Sequence, residues 1–316
     1  MDTTDITLEN IQQAYARIKP YIHRTPILTS GTINKMADAS IYFKCENFQK
    51  IGAFKIRGAT NAILSLGAAA LKNGVATHSS GNHAQAIALA AKNNNIPAYI
   101  VMPETAPKVK VSAVQGYGAE VIFCAPTQAA REETLEQTVT RTGAVFIHPY
   151  DNDAVIAGQA TAALELLEEQ PGLDVVMCPV GGGGLISGTA LVVHYLSPQT
   201  RVVAGEPSGA DDAFRSWKAG KLLKNEQPAS LADGLLASLS GRTLHYIQKY
   251  VDDIILVDEQ EIIAAMRLVW ERMKIIIEPS CAVPLAALLN EKAAYRGKSI
   301  GIILTGGNVD LRNLPF

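Results

Sequence analysis

The sequence predicts an α/β protein of mostly parallel strands joined by helices. Three observations carry this: Val/Ile-rich apolar runs recur along the chain, Ala/Leu-rich segments of helical period separate them, and no solenoid-length repeat or low-complexity tract breaks the alternation. The strand PAYIVMP, the helical KVKVSAVQGYG and the strand AEVIFC follow one another in that order. Further strands are expected at IYFKCE, GVATHS, AVFIHP, DVVMCPV, TRVVAGEP, VDDIILV and SIGIILT, with helices near 84–93, 157–169 and 259–274. So many units exceed one small sheet. The compact run from Val75 to Ile147 predicts a small inserted domain over 73–147. It would sit within a large domain formed by 1–72 and 148–316, each domain carrying a mostly parallel twisted sheet flanked by helices. The cleft between them is the expected place for an active site. A polar, Pro-containing loop is expected over 219–231.

Bulk properties exclude several classes of partner. At 316 residues and 48% hydrophobic, the chain can bury two cores. A formal net charge of −2 and six scattered histidines leave no basic face for nucleic acid or an anionic membrane. No run approaches the roughly 20 apolar residues of a membrane helix. The polar start MDTTDITLENIQQ is unlike a secretory leader, so a cytoplasmic protein is expected. Cys45, Cys124, Cys178 and Cys281 stand far apart, with no CxxC pair, and read as buried free thiols rather than a disulfide or zinc framework.

Two local patterns point to chemistry. The strand DVVMCPV runs into Gly181, Gly182, Gly183 and Gly184, and Leu185-Ile-Ser-Gly-Thr-Ala then opens a helix. That layout aims several backbone N–H groups and a helix dipole at one anion, and phosphate is the natural occupant. A tight turn would need one or two glycines, not four in succession. Thr189 stands where a Walker A loop requires lysine, and no register satisfies GxGxxG. Glu206 ends the next strand about where a ribose-binding acid would sit, so a nicotinamide or other nucleotide-binding reading stays open. The second pattern is Lys55, embedded in Gly52-Ala-Phe-Lys-Ile-Arg-Gly-Ala59 just before a helix expected to start near Arg57. Embedding lowers a lysine's pKa and frees a neutral amine for imine formation. An aldehyde cofactor bearing a phosphate needs both features. Lys44, Lys50 and Arg57 in the same stretch read as solvated surface charges.

Gly-Ala-Phe-Lys55-Ile-Arg-Gly-Ala, Ser79-Ser80-Gly81-Asn82-His83, the four-glycine run and Thr305-Gly306-Gly307-Asn308-Val309-Asp310 occur in order over nearly the whole chain. Together they resemble the fold type II pyridoxal-phosphate enzymes of the serine racemase and serine/threonine dehydratase family, and serine racemase most. The resemblance implies that Lys55 carries pyridoxal 5'-phosphate as a Schiff base, that Phe54 packs beside the ring, and that Gly181, Gly182, Gly183, Gly184 and the Leu185 amide bind its phosphate. Asn82 would hydrogen-bond the ring hydroxyl. Thr305 would face the pyridine nitrogen, and a hydroxyl there makes a milder electron sink than a carboxylate, favouring elimination or racemisation over transamination. Ser79, Ser80, Gly81, Asn82 and His83 would form the substrate carboxylate pocket, although Ser79 and Ser80 could equally be helix caps. Ser80 resembles the serine that exchanges the α-proton on the face opposite Lys55, and Arg131 the arginine that closes on a substrate carboxylate.

In the same way Glu206, Asp212 and the Ala210 carbonyl resemble the family's divalent-cation loop, for magnesium, calcium or manganese. Lys50, Gln85, Tyr117 and Asn308 match the ATP effector site at the dimer interface of its animal members. Ile51 replaces a hydroxyl residue there, which argues against nucleotide activation. Ala237 replaces a serine of the substrate pocket. The expected activity is a homodimeric serine racemase with dehydratase activity on a small hydroxy amino acid. A threo-3-hydroxyaspartate dehydratase or a catabolic threonine dehydratase is the alternative.

Overall fold

The structure, a computed structural model, describes residues 5–106 and 108–316. Residues 1–4 and Pro107, which fall inside the two expected domains, lie outside it. Its ten described strands are β1 Ile27–Leu28, β2 Ser40–Cys45, β3 Val75–His78, β4 Ala98–Pro103, β5 Glu120–Cys124, β6 Val145–Phe146, β7 Val175–Pro179, β8 Arg201–Pro207, β9 Asp253–Val257 and β10 Ser299–Leu304. They form a six-stranded sheet in the order β1-β2-β10-β7-β8-β9 and a four-stranded sheet in the order β5-β4-β3-β6. Every pair is parallel except the short β1 against β2. All nine strands expected from the sequence form, although β6 is two residues long. β1 was too short to leave a periodic signal.

Continuous apolar runs are the signature of strands buried on both faces, and β7 shows why. Val175 and Met177 belong to one core, and Val176 and Cys178 to the other. The core of Val176 and Cys178 also receives the helix Asp153–Glu169, buried around its whole girth from Val155 to Leu167. In the smaller sheet Val75, Ile100 and Met102 face one core, and Ala76 and Val101 the other. The four cysteines are free and buried, as expected.

β7, β8 and β9 follow one another across the larger sheet, whereas β10 returns to the opposite side of β7. Strand order therefore reverses between β10 and β7, and ligands in parallel α/β sheets gather beyond the carboxyl ends at such a point. The glycine run follows β7 and Thr305 follows β10, so the reversal brings together two motifs about 120 residues apart.

Lys44 and Arg57 are not surface charges. Both side chains are 0% exposed and share one network with Glu46 and Glu165, also 0% exposed. Arg57 donates from Nε and Nη2 to Glu46 at 2.7 and 2.8 Å, and from Nη1 and Nη2 to Glu165 at 3.0 and 2.7 Å. Lys44 Nζ lies 2.7 Å from Glu165 and donates to the Thr25 carbonyl at 2.7 Å. Two cations and two carboxylates close a neutral set, the condition under which charges survive burial.

Candidate active site

Lys55 is the first residue of the helix Lys55–Leu64, two residues earlier than expected. Packing fixes that helix. It meets Asp153–Glu169 at Gly58 and Gly158, where a Cβ on Gly158 would fall 2.6 Å from the Gly58 Cα. The preceding segment pairs with the strand end that carries Thr305. Phe54 N donates to the Thr305 carbonyl at 3.0 Å, Ala53 bridges Gly306, and Gly307 N donates to the Gly52 carbonyl at 2.9 Å. Ile51 sits at φ 61°, an outlier for a β-branched residue, while its carbonyl accepts from Asn308 Nδ2 at 2.7 Å.

At this junction Lys55 Nζ lies 5.1 Å from the centroid of the buried Phe54 ring and 3.4 Å from the Pro149 carbonyl. Burial pushes the amine down to about 8, partly opposed by the Glu278 carboxylate. Thr305 is buried, and its Oγ1 has no hydrogen-bond partner. An orphaned buried hydroxyl beside a depressed lysine marks a place built for another group.

The glycine run supports the phosphate reading over the turn reading. Gly183, at φ +86°, N-caps the helix Gly184–Leu196 with no side-chain cap, leaving the first-turn amides available to an anion. Each neighbouring glycine is also required sterically. A Cβ on Gly181 would stand 2.7 Å from the Leu235 Cα, and one on Gly182 2.3 Å from the Tyr150 ring. Ser79 and Ser80 are not helix caps. The helix Asn82–Asn93 begins at Gly81 with no side-chain cap, and Ser79 Oγ accepts only the Gly81 N–H, at 3.3 Å. Both serines therefore keep hydroxyls for another partner, and the helix keeps its free amides.

Asn82 donates to Glu278 at 2.8 and 3.2 Å and accepts from Asn308 Nδ2 at 2.8 Å. Glu278, which no sequence motif flagged, N-caps the helix Pro279–Asn290, and its N–H donates to the Gly306 carbonyl at 3.0 Å. Burial pushes its carboxyl up to about 7. Asn82, Asn308 and Glu278 are thus one hydrogen-bonded cluster spanning the two sheets, and the Glu278 charge acts on Lys55. Gln85 lies buried on the Asn82–Asn93 helix, against which the Lys50–Gly52 turn packs. Tyr117 packs against the core that this helix shares.

Three of the six histidines converge rather than scatter. His78, Phe146, His148 and Tyr150 form a ladder with centroid steps of 6.0, 5.6 and 4.6 Å, the first stacked and the other two edge-on. His148 Nδ1 accepts the Asp151 and Tyr150 N–H groups, and burial pushes its pKa down to about 4. His83 is buried with Nε2 3.4 Å from the Ile147 carbonyl, and burial holds it well below the usual imidazole range. These rings are neutral at pH 7. Arg131, on the helix Gln128–Thr142, has a buried Nε without a partner.

Farther out, Glu206 and Asp212 are buried carboxylates. Glu206 accepts the Ala213 and Phe214 N–H groups, both at 2.8 Å, and Asp212 accepts the Leu239 N–H at 3.2 Å. Desolvation pushes their carboxyls up to about 8 and about 6. Asp211 is committed to Arg215 at 2.8 Å. Among the described residues no group of three or more His, Cys, Asp and Glu side chains could hold a metal, so a cation here would depend on backbone carbonyls as well.

The model of the family described as pyridoxal-phosphate dependent enzyme matches residues 18–306. The chain belongs to that family. Among curated relatives, this pyridoxal-phosphate-dependent enzyme is 50% identical to a beta-hydroxyaspartate dehydratase of Paracoccus denitrificans over 98% of each chain. It is also 50% identical to a serine racemase of Dictyostelium discoideum, over 98% of this chain and 97% of that one. Among solved structures, maize serine racemase superposes with a TM-score of 0.95 at 46% identity, covering 97% of this chain and 94% of that one. The fold of the family, parallel sheets flanked by helices, is the one expected from the sequence. No described helix is long and apolar enough to cross a membrane.

Proposed function

We propose that the enzyme is a serine racemase that also dehydrates serine and threonine, working in the cleft between a small domain over 73–147 and a large domain made of the rest. The observation that carries this reading is the junction of Lys55 with Thr305: a buried amine lowered to about 8 beside an orphaned hydroxyl, at the strand reversal that also presents the glycine run. Lys55 would hold the cofactor and Phe54 pack beside it. Gly181 to Gly184 and the Leu185 amide would take its phosphate, Asn82 would bond its ring hydroxyl, and Thr305 would offer the pyridine nitrogen a hydrogen bond without a charge. Bound there, pyridoxal phosphate supplies an electron sink conjugated to the substrate α-carbon. Ser79 to His83 would receive the α-carboxylate, with Arg131 closing on it. Lys55 and Ser80 would exchange the α-proton from opposite faces. Glu206, Asp212 and the Ala210 carbonyl would bind magnesium, calcium or manganese in a structural role: two buried carboxylates raised by desolvation suit a hard cation. The enzyme would be a cytoplasmic homodimer. A nucleotide effector held by Lys50, Gln85, Tyr117 and Asn308 would have to displace the Asn308 bonds to Asn82 and Ile51.

A dehydratase of threo-3-hydroxyaspartate is the second reading, favoured by the equally similar Paracoccus relative. A panel of L-serine, D-serine, L-threonine and both threo-3-hydroxyaspartates, followed for keto acid and enantiomer together, separates the two. The expected result is serine inversion together with pyruvate release. Oxaloacetate released much faster than pyruvate would overturn the serine reading. Ser80→Ala is expected to depress racemisation by about 10²-fold or more while elimination from L-serine falls far less. Equal losses on both would remove Ser80 from the second face.

A further inference from the structure

We propose that Tyr150 is the acid that protonates the departing β-hydroxyl, an assignment that rests on the dehydratase half of the proposed reaction. Tyr150 follows Pro149, whose carbonyl touches Lys55 Nζ, and its ring lies against Gly182 with its Cβ against Gly184. The residue therefore spans the distance between the lysine and the glycine run. Its orientation is set by an edge-to-face contact with His148 at 4.6 Å and 87°, and by its own N–H donating to His148 Nδ1 at 3.4 Å. Among the described residues its hydroxyl makes no hydrogen bond. The carboxylates that act on it come from three elements: Asp151 beside it, Glu132 on the helix Gln128–Thr142, and Asp212 on the helix Asp212–Ala219. Burial, reinforced by these carboxylates, pushes the phenol up to about 12, so it keeps its proton throughout the neutral range.

The other candidate acids near Lys55 are committed. His148 uses Nδ1 to accept two amides and does not charge at neutral pH. His83 is buried at the Ile147 carbonyl, and Glu278 accepts both Asn82 bonds. In the elimination the Lys55 amine takes the proton from Cα, and the electron pair of that bond becomes the Cα=Cβ bond. The Cβ–O bond breaks with its pair on oxygen, and the Tyr150 proton joins that oxygen, so that water leaves. The proton on Lys55 restores the phenol, and hydrolysis then releases keto acid and ammonia with no oxidant or reductant consumed.

Tyr150→Phe keeps the ring packing and removes only the proton. With the holoenzyme, L-serine dehydration is expected to fall about 10²-fold, the lower end of what a positioned acid contributes. Elimination from β-chloro-L-alanine, whose chloride leaves without a proton, should fall only a few-fold. The visible absorbance band and melting temperature should match the wild type, showing that the variant is folded and loaded. Equal losses on the two substrates, or no loss on serine, would overturn the assignment. If the phenylalanine variant does not fold, a fluorinated tyrosine at position 150 tests the same point. Its more acidic phenol should move the alkaline limb of serine dehydration to lower pH without moving that of chloroalanine, and an unmoved limb refutes the role. A wild-type enzyme that expels chloride but not water overturns the proposed dehydratase reading itself, a failure visible before any substitution is made.

Discussion

Arg57→Met is expected to destabilise the protein by about 3–5 kcal/mol, the usual cost of breaking a buried ion pair by removing one partner. Methionine fills most of the volume but leaves two buried carboxylates facing the single cation of Lys44. Glu46 would keep only the Thr25 hydroxyl, at 2.6 Å, and Glu165 the Lys44 ammonium. Urea denaturation compares the two proteins directly, and a loss below about 1 kcal/mol would show that the network is not closed as described. The pH dependence gives a second check. Burial raises the Glu46 carboxyl, but the Arg57 guanidinium outweighs it and holds the carboxyl below its ordinary value of 4.5. A depressed folded pKa means that this stability is fully present above 4.5 and is lost as pH falls through the folded value. Without Arg57 burial is opposed only by the Thr25 hydroxyl and the Lys44 charge, so acid unfolding should begin at higher pH.

Lys55→Ala is expected to abolish the visible absorbance of the cofactor and to lower turnover beyond about 10⁴-fold, because the same amine would hold the cofactor and move the α-proton. Wild-type apoprotein carries a more specific signature. With the amine lowered to about 8, the rate of cofactor capture should climb with pH as the neutral fraction grows and level off above about 8. An ordinary lysine would keep climbing towards 10.5. A limb near that higher value would mean that the pocket does not desolvate Lys55.

What the sequence disclosed was local, and what it hid was relational. The strands announced themselves because most are short runs dominated by apolar residues, and the glycine run because four backbone amides at a helix start need no distant partner to be recognised. Arg57 and Lys44 were misread because the carboxylate they share is Glu165, more than a hundred residues away on the helix Asp153–Glu169. Glu278 was missed for a similar reason. One glutamate before Pro279 carries no pattern until the fold sets it against Asn82 and Gly306. Tyr150 and His148 lie in a loop beyond β6, and only the packing of that loop against Gly182 and Lys55 gives them meaning. In the other direction, the structure removed an ambiguity the sequence had left: Gly81, not a serine, opens the helix after β3.

Reduction of the holoenzyme with borohydride, followed by digestion and peptide mass mapping, tests the central claim most directly. The expected result is one phosphopyridoxyl adduct, on the peptide that contains Lys55, together with loss of the visible band. An adduct on any other lysine, or no adduct from a protein saturated with pyridoxal phosphate, would contradict it.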